Sequence, residues 1–196
     1  MLARPLLAAT LILLTPYCSK GGSGLSPDPR GSGADPVGSR DRRSSGEPRE
    51  LAGITAAHNA VRKRVGVAPL VWDDRLAETA RGWVRRCVDR SSPRGVIDHN
   101  ADRSRGHSEY VGENLTAGTG PLQARAVVEG WVSEADDYDH ARNRCRRGKV
   151  CGHYTQVVWA ATERVGCAAF TCSNLEYPYT VLCNYGPAGN SGGRPY

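Results

Sequence analysis

The apolar positions first become periodic at Leu51. Leu51, Ile54, His58, Val61 and Val65 follow at alternating steps of three and four, which traces one face of a helix, and Gly66 stops it. Asp73 or Asp74 is suited to cap a second helix whose stripe is Leu76, Ala80, Trp83 and Cys87, so its cysteine faces the core. Residues 88–106 are rich in Arg, Asp and Ser and read as a loop. Pro121 suits the first turn of a third helix, with Val127, Trp131 and Glu134 along one face and Val128 beside them. After an Arg-rich loop, the runs 153–160, 165–171 and 178–184 carry β-branched and aromatic residues, end near Gly or Pro, and predict strands. Helices first and strands afterwards predict an α+β domain in which helices cover an antiparallel sheet. There is no internal repeat.

The N-terminal quarter does not share this periodicity. Arg4, the apolar run Leu6 to Leu14, and polar Ser19 and Lys20 read as a signal peptide over 1–18, too short to span a bilayer. Residues 19–49 are mostly Gly, Ser, Pro, Asp and Arg and bury too little to offset ordering entropy, so they read as a disordered linker ahead of a domain over 50–196. The expected location is secreted, extracellular. Cys18 offers an alternative, a lipid anchor at the cell envelope, although Thr15, Pro16 and Tyr17 are not the small residues such sites prefer. No later stretch is apolar enough for a transmembrane span.

The remaining six cysteines, Cys87, Cys145, Cys151, Cys167, Cys172 and Cys183, read as a three-disulfide framework in an exported chain, with the pairing left open. No CxxC pair points to structural zinc. From Leu51 onward there are 19 Lys and Arg against 15 Asp and Glu, a net of +4. That balance favours anionic surfaces and is too diffuse for nucleic acid.

Candidate chemistry gathers on four residues. Glu134 falls on the buried stripe of the third helix, where a lone carboxylate is costly and needs a cation, a donor or a metal. His153 shares a strand face with Thr155, Val157 and Trp159 if 153–160 is extended. HSEYVGENL, 107–115, supplies His107 and Glu113 on a loop passing through Gly112. Two imidazoles and two carboxylates are a ligand set for zinc or another divalent ion.

HNAVR (58–62), HSEYVGEN (107–114), GWVSE (130–134), CGHYTQVVW (151–159) and CNYGPAGN (183–190) together resemble the CAP superfamily, which groups cysteine-rich secretory proteins, venom antigen 5 and plant pathogenesis-related protein 1. The blocks cover 51–190 in the family's order, and the pattern is nearest to pathogenesis-related protein 1-like domains. The resemblance implies an α-β-α sandwich and a metal-capable tetrad of His107, Glu113, Glu134 and His153 lining a shallow cleft. It also implies the pairs Cys145 with Cys151, Cys87 with Cys172, and Cys167 with Cys183. Two departures stand out. The loop 88–106 is longer and more charged than in plant members, and 136–151 offers only Tyr138 among five Arg or Lys, which speaks against sterol binding.

Other residues have plainer readings. His58 reads as a core histidine bonded to backbone, and His140 as a solvated loop residue. His99 lies in the inserted loop, and its separation from Glu113 fits the family block poorly. The run Arg142, Arg144, Arg146, Arg147 and Lys149 reads most simply as a solvated face, with contact to an anionic membrane as the alternative. Asn114-Leu115-Thr116 is a glycosylation sequon whose place inside the GEN block argues against modification.

These readings imply an exported binding module whose cleft or basic loop engages a hydrophobic small molecule, lipid, glycan or cell-surface protein. The alternatives are a metal-dependent hydrolase or peptidase using the same tetrad, or a non-catalytic envelope protein. With no HExxH helix and no GxSxG elbow, and with Ser108 adjacent to His107 instead of facing it, catalysis is the weaker reading.

Overall fold

The computed structural model describes residues 46–196; the expected signal peptide, Cys18 and the linker up to residue 45 lie outside the described residues. Contacts with the first two helices reach back to Gly46 and Glu47. The Gly46 N–H donates to the Asp74 carboxylate (2.9 Å), and Glu47 accepts from the N–H groups of Gly53 and Thr55 at 2.6 and 2.8 Å. Glu47 thereby supplies the first helix with the cap that Gly53, at φ 87°, lacks a side chain to provide.

Helix α1 (Ile54–Arg64) is followed by β1 (Val71–Trp72) and α2 (Asp74–Val84). Of the two candidate caps for α2, Asp73 is the one used, accepting from Arg75 and Leu76 N–H. Burial alone would raise the Asp73 pKa, but those N–H donors and the Arg164 guanidinium at 2.6 Å hold it below the usual carboxylate range. Strand β2 (Gly112–Gly118) leads to α3 (Ala124–Val132), a short 3-10 helix (Ser133–Asp137), the small β3–β4 hairpin (Tyr138–Asp139 and Arg144–Cys145), α4 (Gly152–Val157), β5 (Arg164–Thr171) and β6 (Tyr179–Gly186).

The main sheet runs β1-β5-β6-β2, with β1 parallel to β5 and the remaining pairs antiparallel. Residues alternate faces along β5 and β6. Val165, Cys167, Val181, Cys183 and Tyr185 pack with α1, α3 and α4, while Ala168 and Leu182 pack with Ala80 and Val84 of α2. The result is the expected α-β-α sandwich. Helix α2 rides directly on the β5 backbone at Gly166, where a Cβ would collide with the Asp73 carbonyl and the Ala77 amide.

Three disulfides join Cys87 to Cys172, Cys145 to Cys151, and Cys167 to Cys183, the pairs that the resemblance implied. Cys167 and Cys183 lie directly opposite each other in the β5–β6 register.

Two expectations are corrected. The run 153–160 is not a strand; its first half forms α4. Tyr154, Thr155, Gln156 and Val157 are all buried there, so the helix shows no polar face and its β-branched composition imitates a buried strand. Gln156 wedges against Gly112 and Gly189, where a Cβ would meet its amide, and accepts from Gly189 N–H at 2.9 Å. The central strands are instead β5 and β6, and the GENLTAG segment, read as loop, is the edge strand β2 paired with β6 from Gly112↔Tyr185 to Gly118↔Tyr179.

Candidate functional site

Two imidazole–carboxylate pairs flank the start of β2. Glu134 does not lie within α3 as the stripe suggested; it sits one turn further on, in the 3-10 helix, and faces the N-terminus of α4. Its Oε1 is 2.7 Å from His153 Nδ1, and its Oε2 accepts the backbone N–H groups of His153 (2.9 Å) and Tyr154 (3.3 Å). His153 is the second residue of α4, so the carboxylate fixes the imidazole while satisfying N–H groups at the helix start that have no partner within the helix.

The second pair joins Glu113 to a residue that the family blocks did not select. Glu113 Oε1 is 2.6 Å from His99 Nδ1 and accepts the Asn100 N–H at 3.0 Å. Its Oε2 accepts from the Asn184 amide at 3.2 Å, with that amide assigned so that its nitrogen faces the carboxylate. The Glu113 side chain is 1% exposed, and this set of donors accounts for its burial.

His107, expected beside Glu113, instead places Nε2 2.9 Å from the Thr79 hydroxyl on α2. The local reason is the fold of the 88–106 loop. Asp98 accepts from Arg90 and Ser91 N–H, its own N–H donates to the Val88 carbonyl, and Arg103 binds the carbonyls of Asn100 and Val111 and the Tyr110 hydroxyl. These bonds deliver His99 and Asn100 to the Glu113 carboxylate. The two pairs meet through β2: Asn114, next to Glu113, turns to the opposite face and donates to the His153 carbonyl at 3.1 Å. Asn114 is thus buried and engaged, which leaves its sequon inaccessible.

Among the described residues no three His, Cys, Asp or Glu side chains gather into one metal-holding group. What the geometry provides is two oriented imidazoles. Each ring binds a carboxylate through Nδ1, and neither Nε2 has a hydrogen-bond partner among the described residues. This carboxylate–imidazole arrangement is the one that orients metal-ligating histidines, with the carboxylate behind the ligand. The donor types at each pair, an imidazole backed by a carboxylate, are ones that divalent ions take.

His58 differs. Nδ1 bonds to the Ile54 carbonyl (2.8 Å) and Nε2 to the Tyr185 hydroxyl (2.9 Å). Complete burial, with the nearby Arg62 charge, pushes its pKa down to about 4, so the ring is neutral at pH 7. Arg62 itself is fully buried and donates to the carbonyls of Ala68, Val157, Trp159 and Thr162, tying α1 to the α4–β5 turn.

Beside this core, α1 and α3 border a hollow of about 370 Å³ lined by Ala57, Ala60, Val61, Val128 and Val132, with Arg64 and Arg125 also on its wall. His140 is an exposed turn residue, as expected; its ring stacks on Tyr196 with centroids 4.6 Å apart and bonds the Tyr196 carbonyl.

Fold, disulfides and histidine-bearing blocks coincide with one family: residues 55–185 match the CAP cysteine-rich secretory protein family, and the chain belongs to it. Pathogenesis-related protein 1A of Nicotiana tabacum is 46% identical over 142 residues, 71% of this chain and 77% of its own length. Among solved structures, venom allergen-like protein 4 of Schistosoma mansoni superposes with a TM-score of 0.61 at 28% identity, covering 76% of this chain and 95% of its own. NaASP2, solved with Zn²⁺, gives a TM-score of 0.57 at 25% identity, covering 78% of this chain and 88% of its own. CAP homologues are typically secreted and bind small hydrophobic molecules or proteins. No helix among the described residues is long and apolar enough to cross a membrane.

Proposed function

We propose that this chain is an exported binding module with a divalent-metal site formed by His99 and His153, and that it binds a small amphipathic molecule in the α1–α3 hollow. The observation that carries the metal reading is the repeated Nδ1-to-carboxylate geometry, which backs each ring with a glutamate and leaves its Nε2 without a protein partner among the described residues. A zinc-bound relative of the same fold supports it. Export is supported by three disulfides and by the family's habit.

A bound divalent ion would supply positive charge for an anionic or carbonyl-bearing ligand. The protein's own part is to hold both imidazoles in one tautomer, with the proton on Nδ1 facing the carboxylate and the lone pair on Nε2. His107 and Ser108 do not form a nucleophilic pair; the His107 ring contacts Thr79, and no carboxylate orients it among the described residues. The site therefore favours binding over hydrolysis. For the second ligand, the size and apolar lining of the hollow fit a short acyl or isoprenoid chain, with Arg64 near an acidic head group.

Isothermal titration with zinc tests the metal site. Affinity is expected to fall sharply in His99→Ala and in His153→Ala and to persist in His107→Ala. Unchanged affinity in both of the first two variants would overturn the assignment.

A further inference from the structure

The basic run that the cleft does not use is built into a braced ring. Arg142 to Lys149 lies on the β3–β4 hairpin and in the six-residue separation closed by Cys145–Cys151. Its backbone is held from both sides. Arg146 N–H donates to the Asp137 carbonyl (2.7 Å) and Lys149 N–H to the Arg146 carbonyl (3.0 Å). The C-terminal residues brace the hairpin tip: Asn143 donates to the Gly193 carbonyl (2.8 Å), and Arg194 binds the carbonyls of His140 and Ala141.

The charges on this ring are unevenly matched. Over 136–151 there are five cations, Arg142, Arg144, Arg146, Arg147 and Lys149, against Asp136, Asp137 and Asp139. Asp139 is taken by Arg142 at 2.8 Å, and Asp137 faces Lys149 at 3.6 Å. Arg144, Arg146 and Arg147 make no ion pair among the described residues, and they line a hollow of about 480 Å³ with Asp139 and Cys145. Beside them Val150, at 65% exposed, is one of the most exposed large apolar residues described. Val150 thus stands exposed next to three guanidinium groups without an ion pair among the described residues, of which only Arg144 has a carboxylate, Asp139, opposite it in the hairpin.

We infer that this ring docks the protein on an anionic phospholipid surface, with Arg144, Arg146 and Arg147 on headgroup phosphate oxygens and Val150 seated at the headgroup–acyl boundary. Guanidinium groups match phosphate geometry and give the contact its charge dependence. Val150 decides between a membrane and a soluble polyanion, because only the membrane offers it an apolar environment. Cys151 precedes the first turn of α4, so docking sets the His153 end of the cleft beside the lipid surface. The inference is independent of the metal reading.

The test is sedimentation of the exported chain, without residues 1–18, in EDTA, with phosphatidylcholine vesicles and with vesicles that also carry phosphatidylglycerol. Binding is expected only to the anionic vesicles and to weaken with salt. The triple variant Arg144→Gln/Arg146→Gln/Arg147→Gln should bind about 100-fold more weakly, at about fivefold per arginine. The corresponding triple Lys variant should retain most of the binding, and Val150→Ser should lose a few-fold. Equal binding by the Gln variant and the parent would overturn the inference. An unchanged Val150→Ser combined with full displacement of the parent by soluble heparin would also overturn it, reassigning the ring to a polyanion.

Discussion

His58 and His153 lie on the same side of the sheet, and their surroundings give one side-chain type two different uses. Around His58 both ring nitrogens are bonded to protein, the ring is sealed, and the adjacent Arg62 has its guanidinium on four carbonyls. Around His153 one nitrogen is held by Glu134 and the other is not, and the side chain is 32% exposed. A histidine with both nitrogens satisfied stiffens the fold, whereas one with a single oriented nitrogen remains available to a ligand. His99 repeats the second pattern at 56% exposure, which sets it apart from His107.

The contrast breaks most visibly at Arg62. Arg62→Met strands three buried carbonyls and frees a fourth, on Ala68, that is only part-buried; it should lower stability by about 3–5 kcal/mol in urea unfolding, with zinc affinity unchanged in whatever protein remains folded.

The next effect is on pH. The folded-state pKa of His58 is depressed to about 4 from 6.5, so its stability contribution is complete above pH 6.5 and is lost as pH falls toward 4. The loss should reach about 3 kcal/mol, because the unfolded chain takes up a proton that the folded one refuses. His58→Gln should flatten that slope, read as unfolding midpoints across the pH range.

A smaller stability effect but a selective functional one is expected at the glutamates. Glu134→Gln and Glu113→Gln should weaken zinc binding by about 10- to 100-fold while costing about 1 kcal/mol in stability, because they loosen the imidazoles without removing them. Least of all, His107→Ala gives up one half-exposed hydrogen bond to Thr79 and should shift stability by about 0.5–1 kcal/mol and zinc affinity not at all.

The parts of the fold legible in sequence were those with one wet face. Helices α1 and α2 each bury a stripe against the sheet and keep a charged side, so their period survives in the residue pattern. Helix α4 is sunk on nearly all sides, its period vanishes, and Thr155, Val157 and Val158 then read as strand. Strand β2 hid for the opposite reason: glycines at both ends and alternating Glu113 and Asn114 look like loop until β6 is alongside. Three of the four residues assigned to the site occupy the two pairs. The fourth, His107, contacts Thr79 instead, and the closeness of His99 to Glu113 depends on Asp98 and Arg103 folding the loop through bonds spanning seven or eight residues, which leave no periodic signature.

The disulfide connectivity has one more consequence. A single backbone cut anywhere from Cys87 to Cys172 leaves both fragments tied by that bond, and a cut from Cys167 to Cys183 leaves them tied by the next. The long charged loop, the basic hairpin and the β5–β6 turn all fall inside these closed rings. A protease that nicks any one of them once therefore produces a cleaved but still single covalent molecule, with α1, the sheet and both glutamate–histidine pairs in one piece.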